Sequence, residues 1–367
     1  MEHAFVYDAD IQAHIEAAAL RLERSSGDRS QYAKIAKENF SLLKAGSFTD
    51  TRGLSHSLKL PRQAVNRTHA VPRNSGRVLK PPYASTRIAV AKADTATALR
   101  VMHLLGAPNT AALNFANQHH AGGGYVNGAR AQEEDLCRLI PTLYPSLKSL
   151  RYPMRSDQAH FTQGWLSRTA GSYHFEGPPV LASIITAAMP SLTSRSTFSH
   201  GLQPGSDAWV ETVRLRMRAV LHTAREERAP SIILGAFGCG AFGNPPELVA
   251  RMFRDLLQSD EFRGCFSHVV FAILTNKPGE DSNLSAFIRE FGSNGRILAP
   301  QLVSDDAGTA ECVAGARSGQ GDPRSRGVPP SRSDGQVDDS QQEIPCLASD
   351  AHASENGAAL ESAVRIE

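Results

Sequence analysis

The chain has 367 residues, room for one large domain or two smaller ones, and 41% of them are hydrophobic, enough for a substantial core. A net charge of +2 gives no global case for nucleic-acid binding, and five cysteines in so long a chain do not make a spaced disulfide framework. Residues 1 to 10 lack the basic start and apolar run of a secretory signal, and no apolar run is long enough to span a bilayer. The expected setting is therefore reducing and intracellular, cytoplasmic or nuclear.

Ile11, Ile15, Ala18, Ala19 and Leu22 recur at helical spacing. Ser25-Ser26-Gly27-Asp28 breaks the pattern, and a second helix is expected from Ser30 to Ala45, stopped by Gly46, with Ile35, Leu42 and Leu43 toward a core. Residues 51 to 90 hold Arg52, Lys59, Arg62, Arg67, Arg73, Arg77, Lys80 and Arg87 and no acidic residue, and their prolines argue against regular structure. Such a run is either a positive rim that attracts a polyanion or a solvated loop; charge runs usually are the latter.

From Arg87 the pattern alternates. A strand to Ala93 leads to a helix with Asp94 or Thr95 as its N-cap, which should bury Leu99, Met102, His103 and Leu105 and end at Gly106. Thr110 to Phe115 reads as a buried strand, and Gln132 to Ile140 as the start of a helix. Residues 141 to 178 read as a long irregular excursion, a feature that is often functional. Val180 to Ala188 is a strand, 190 to 205 is irregular, and Ser206 to Arg228 is a long helix. Ser231 to Leu234 is a strand, Pro246 opens a helix, His268 to Leu274 is the last strand and Ser282 to Phe291 the last helix. This order implies a layered α/β domain with a largely parallel sheet. Residues 301 to 367 contain no Phe, Trp or Tyr, and acidic residues outnumber basic ones, so a disordered tail is expected there.

Two strand-to-helix turns are rich in glycine. The first holds Gly122, Gly123, Gly124 and Gly128; the second runs Gly235-Ala236-Phe237-Gly238-Cys239-Gly240-Ala241-Phe242. Such turns aim backbone N–H groups at an anion, usually a phosphate. In an open α/β sheet they sit at the edge where ligands bind. Two of them can hold a diphosphate, with Phe237 and Phe242 packing on a base or sugar; the bland reading has glycines making turns and both phenylalanines in the core. There is no Walker A loop and no Gly-x-Gly-x-x-Gly fingerprint. Glu133 and Glu134 stand about 100° apart on the expected helix and should have different jobs. Acidic residues at a helix start also simply complement its dipole, which lowers a carboxyl pKa. His119-His120 lacks a tetrahedral ligand set, and Cys239 is either a reactive thiol or a small residue suited to a crowded turn. Trp165 and Trp209 are expected to pack.

Three glycines, then Tyr125 to Ala131 as a spacer, then Gln132-Glu133-Glu134, preceded by Phe115-Ala116-Asn117, together resemble the signature of poly(ADP-ribose) glycohydrolases, above all the smaller microbial type. The resemblance covers roughly residues 30 to 295. It implies a macrodomain-like three-layer α/β/α sandwich with a mixed, largely parallel sheet and extra N-terminal helices. The implied division is an N-terminal extension over 1–85, a catalytic domain over 86–298 and the tail over 299–367. It further implies hydrolysis of ribose–ribose bonds in poly(ADP-ribose), with Glu134 as acid/base, Glu133 and Asn117 on the distal ribose, and Asp94 on the adenine. Gly122, Gly123, Gly124 and Gln132, and the second turn from Gly235 to Phe242, would contact the substrate. No cofactor or metal is implied. Implied partners are poly(ADP-ribose) and ADP-ribosylated proteins, with no membrane and no sequence-specific nucleic acid, for a monomer acting in the DNA damage response. The alternatives are a reader that binds ADP-ribose without cleaving it, and a hydrolase of ADP-ribose attached to protein or nucleic acid.

Overall fold

The computed structural model describes residues 4–22, 27–62, 64–72, 80–193, 202–275 and 282–292. The tail expected after residue 299, and Arg73 and Arg77 of the basic run, lie outside the described residues. The first part of the chain forms β1 (Ala4–Tyr7), α1 (Ala9–Leu20), α2 (Arg29–Ala45), β2 (Ser47–Thr49), β3 (Ser55–Ser57), β4 (Asn66–Ala70), β5 (Ser85–Ala91), α3 (Thr95–Leu104) and β6 (Thr110–Phe115). The second forms α4 (Gln132–Leu139), α5 (Leu143–Lys148), β7 (Gln158–Leu166), β8 (Val180–Ala187), α6 (Asp207–Glu226), β9 (Ser231–Leu234), α7 (Pro246–Gln258), β10 (His268–Ala272) and α8 (Ser282–Phe291).

Eight of the strands form one sheet in the order β1-β5-β10-β9-β6-β8-β7-β4, and β2 pairs with β3 in a small hairpin. Only β7 runs against its neighbours, pairing antiparallel with β4 and β8. Successive side chains of a strand point to opposite faces. Ile88, Val90, Leu113, Ile232 and Phe271 therefore join one core under α6, α7 and α8. Ala89, Ala91, Ala112, Ile233 and Val270 join the other, under α1 to α5. The result is the expected three-layer α/β/α arrangement.

The helix boundaries follow local chemistry. Asp28 caps α2 in a reciprocal capping box with Gln31, and Gly46, at φ 73°, ends it. Ser206 caps α6, and Pro246 opens α7. Some expectations need correction. On α3, Leu99 and Met102 are buried as expected, but His103 and Leu105 are exposed and Val101 is buried as well. On α2 the buried positions are Tyr32, Ala36 and Asn39, while Ile35, Leu42 and Leu43 are half-buried. The excursion over 141–178 contains α5 and the nine-residue strand β7. Its polar residues hide the strand, because they are satisfied across it: His160 bonds Thr68 at 3.0 Å and Asn66 at 2.6 Å. The stretch 1–85 supplies both edge strands of the sheet, β1 and β4. Arg52, Arg67 and Arg87 of the basic run pair with Asp50, Glu227 and Asp8. Trp209 is fully buried; half-buried Trp165 donates its indole N–H to the Lys59 carbonyl at 3.0 Å.

Candidate active site

Parallel strands bring their carboxyl ends to one edge of the sheet. There β6 and β9 are neighbours, with Ala112 opposite Ile233. The chain leaves β6 for α4 on one face and leaves β9 for α7 on the other, which makes the two strands a topological switch point, the place where a sheet of this kind forms its ligand crevice. The two glycine-rich turns are its walls. At their bases the Phe115 and Phe237 rings meet at 5.4 Å. Gly235 is pressed so closely that an added Cβ would lie 2.7 Å from the Ala272 carbonyl oxygen.

Gln132, expected on the substrate, is engaged with the chain itself. Its amide donates to the Leu113 carbonyl at 2.7 Å and the Thr95 hydroxyl at 3.1 Å, and accepts the Phe115 N–H at 2.8 Å. It thereby locks the start of α4 to the end of β6. This places the next two residues. Glu133 is 2% exposed and accepts the Asn117 N–H at 2.7 Å; Glu134 is 7% exposed and accepts the Gly124 N–H at 2.8 Å. Both carboxylates turn to the loop, and each has its own donor there. Oε2 of Glu134 is buried and accepts no hydrogen bond, while the buried Glu133 carboxyl also has the Asn114 side chain and the Gly122 N–H against it.

Gly123 is required here. Its φ is 54°, and a Cβ would lie 2.4 Å from Glu134 Oε1 and 3.2 Å from Glu133 Oε2. Gly122 and Gly124 complete the turn beside it. Burial pushes the Glu133 carboxyl up to about 8; the Asn117 N–H opposes this and the neighbouring Glu134 adds to it. At Glu133, then, burial outweighs the helix start. Asn117 holds the loop with its side-chain oxygen, which accepts the His119 and His120 N–H groups at 2.8 and 3.0 Å. Asp94 caps α3, accepting the Thr97 N–H at 2.8 Å and the Thr97 hydroxyl at 2.7 Å. Its neighbour Thr95 touches Gln132, so Asp94 stands at the same sheet edge.

The second turn is fastened by buried Asn244, which donates to the Pro190 and Gly238 carbonyls and accepts the Trp209 indole N–H at 3.0 Å. Gly238, at φ 76°, has no room for a Cβ, which would lie 2.7 Å from that of Met189. Phe237 is fully buried in the core, so it is unavailable to stack on a base or sugar. Phe242 and Ala236 are half-buried at the rim, and Ala241 is exposed. Gly240 is exposed, and nothing lies within 4 Å of a Cβ placed there. The chain's own packing does not demand a glycine at that point. Burial pushes the Cys239 thiol up to about 12, which disfavours the thiolate and agrees with a small residue in a crowded turn. His119 and His120 have no ligand set: among the described residues no three of His, Cys, Asp and Glu converge to hold a metal.

Sequence reasoning missed the network behind α4. Asn39 of α2 is fully buried and donates to the Tyr125 hydroxyl at 3.0 Å and the Arg138 carbonyl at 2.9 Å, while accepting from Arg168 at 2.9 Å. Arg138, 1% exposed, donates to the Ala129 carbonyl at 2.9 Å and lies over the Tyr32 ring at 4.6 Å. The Tyr173 hydroxyl donates to Asp135. Tyr32, Ala36 and Asn39 at helical spacing are the signal that would have shown α2 burying a polar group.

A family model described as the microbial-type PARG catalytic domain, PARG being poly(ADP-ribose) glycohydrolase, matches residues 36–163. No curated protein matches. Among solved structures, the chain is similar to a mutant poly(ADP-ribose) glycohydrolase from Thermomonospora curvata, at 30% identity and a TM-score of 0.60, over 71% of this chain and 100% of that one. The enzyme from the same organism bound to the inhibitor ADP-HPD is 29% identical with the same TM-score and coverage. A mutant of the Deinococcus radiodurans enzyme in complex with ADP-ribose is 32% identical, with a TM-score of 0.52, over 61% of this chain and 93% of that one. With its glycine turns and paired glutamates set at one crevice, the chain belongs to the microbial-type poly(ADP-ribose) glycohydrolase family.

Proposed function

We propose that Glu134 is the general acid/base with which this chain, a poly(ADP-ribose) glycohydrolase, hydrolyses the ribose–ribose O-glycosidic bond and releases ADP-ribose. One observation supports the assignment: Glu134 spends one oxygen on the Gly124 N–H and keeps the other buried without a partner, whereas the Glu133 carboxyl also has the Asn114 side chain and the Gly122 N–H against it. A buried acceptor left unpaired costs about 1–3 kcal/mol, and a polar ligand that enters the crevice removes that cost.

In this reading the diphosphate lies between the two turns, beside the exposed backbone at Gly240. Asp94 stands toward the adenine, and Asn117 and Glu133 orient the distal ribose. Glu134 protonates the leaving ribose oxygen as the bond to the anomeric carbon breaks and that carbon gains oxocarbenium character. The Glu134 carboxylate then takes the proton of the water that attacks the carbon. Burial raises the Glu133 carboxyl to about 8, so near neutral pH Glu133 holds a proton in the empty site. A ribose hydroxyl that donates to Glu133 favours its charged form and so releases that proton. Most glycosidases flank the bond with two separated carboxylates; here both stand on one helix turn. No metal enters any step.

ADP-ribosylated proteins are the proposed carriers of the polymer, in an intracellular setting. Among the described residues no helix is long and apolar enough to cross a membrane. The test is incubation of the full chain with defined poly(ADP-ribose), followed by identification of products. ADP-ribose should appear. Binding of ADP-ribose with no product would make the chain a reader, and release only from protein or nucleic acid would change the bond.

A further inference from the structure

A second, open cleft of about 550 Å³ begins at Gly123, the residue against which both carboxylates pack. That volume lies in the range that takes a ligand of nucleotide size. Its walls are the first loop, with His120 and Asn127, and the segment that carries Tyr144, Lys148 and Tyr152. Tyr152 packs against Ala116, Met154 and Ala188, at the carboxyl ends of β6 and β8. Its hydroxyl is buried and has no hydrogen-bond partner. Burial holds that phenol protonated. Lys148 is exposed at the end of α5.

The composition of this cleft fits one class of ligand. Two tyrosine rings line it, the kind of side chain on which a base stacks, with Tyr144 itself braced by Tyr125 at 5.0 Å and Phe40 at 5.8 Å. A lysine offers a point charge for a diphosphate. The Tyr152 hydroxyl and the His120 and Asn127 side chains offer partners for ribose hydroxyls. Resting on the reading above, the distal ADP-ribose fills the crevice between the turns, and the bond to be broken stands at Glu134. The cleft therefore starts where the departing sugar starts. We propose that this cleft is a subsite for the leaving ADP-ribose unit, a nucleoside diphosphate whose ribose hydroxyl is set free when the bond breaks, with Tyr152 on that ribose and Lys148 toward its diphosphate.

The test compares two ligands on the full chain: an ADP-ribose dimer, which has one bond to cleave and fills both sites, and monomeric ADP-ribose. The variants are Lys148→Ala and Tyr152→Phe; the first changes an exposed side chain and the second keeps the packed ring. Lys148→Ala should lower kcat/KM on the dimer by about threefold at low salt, through KM, with the loss fading as salt rises. Tyr152→Phe should lower it by about 3- to 10-fold, the worth of one hydrogen bond. Affinity for the monomer should stay within about twofold of wild type, since the glycine turns supply its contacts. A parallel loss of monomer affinity would assign the cleft to the distal unit and overturn the proposal. Unchanged turnover in both variants would leave the cleft without a substrate and overturn it too. Failure of the wild-type chain to cleave the dimer would instead refute the hydrolase reading, and this proposal with it, before any variant was compared.

Discussion

Glu134 and Glu133 share a loop, a helix turn and a degree of burial, yet their replacements should behave differently. Glu134→Gln keeps an oxygen for the Gly124 N–H but cannot carry the proton. General acid–base groups contribute about 10²- to 10⁴-fold, and in the proposed mechanism one residue serves both steps, so turnover of polymer should fall at or beyond the upper figure. Affinity for ADP-ribose, followed by calorimetry, should survive. Wild-type turnover in this variant would remove Glu134 from the role. For Glu133 the prediction concerns stability. Its carboxyl moves from an ordinary value of 4.5 to about 8 on folding. A raised carboxyl pKa means that the fold favours the protonated form. The contribution is full below pH 4.5 and is lost as pH rises through 8, with a slope of up to about 1.4 kcal/mol per pH unit. Glu133→Gln should flatten that slope and raise the melting temperature at pH 8, as scanning calorimetry would show; an unchanged slope would mean the group is not buried as described. The signature itself was legible in the sequence because it is local. What Gln132 and Phe237 do was not, since a bracing amide and a core ring look like ligand contacts until the strands beside them are placed.

Among the elements, strands and helices with a regular apolar period were readable: β6, β9 and α8 stand where the pattern put them. The edge strand β4 and the strand β7 were not. A strand whose polar side chains find partners across the sheet has no alternation to read. The clamp of α2 on α4 was hidden for the same reason, because its centre is a buried asparagine. Asn39→Ala would remove the partner of the Arg138 carbonyl, the Tyr125 hydroxyl and the Arg168 Nε in a buried place, although the other Arg168 nitrogens keep the Tyr173 carbonyl and Glu38. Unpaired buried groups cost about 1–3 kcal/mol each, so a destabilisation of at least about 2 kcal/mol is expected in denaturant unfolding. Loss of activity should accompany it, because α4 carries both glutamates. A fully stable Asn39→Ala protein would show that the network is incidental.

For the molecule as a whole, the layered sandwich follows from the alternation of strands and helices, and the sheet edge at which the site stands follows from parallel pairing. The charge balance of the basic run did not follow, because Asp8 and Glu227, which answer Arg87 and Arg67, come from distant parts of the chain. Three of its cations are thus met by carboxylates, which favours a solvated surface over a steering rim. The composition of residues 301–367, without aromatic side chains, leads to a separate prediction. A chain cut after Ala299 should unfold cooperatively and keep its activity on polymer. If truncation abolished cooperative unfolding, those residues would belong to the folded unit.

The bond from the Gly124 N–H to Glu134 has a kinetic side. A loop fastened by the two glutamates proposed for the chemistry is poorly suited to swing as a lid, because each opening would strip a carboxylate of its donor. Amide hydrogens report such opening directly. Those of Gly124 and Asn117 should exchange slowly in the resting enzyme, together, at the pace of the α4 amides behind them. In Glu134→Ala the Gly124 amide should exchange much faster while that of Asn117, still held by Glu133, stays slow. Product would then leave past a still wall, and the pace of release would be set by how tightly ADP-ribose is held rather than by any gate.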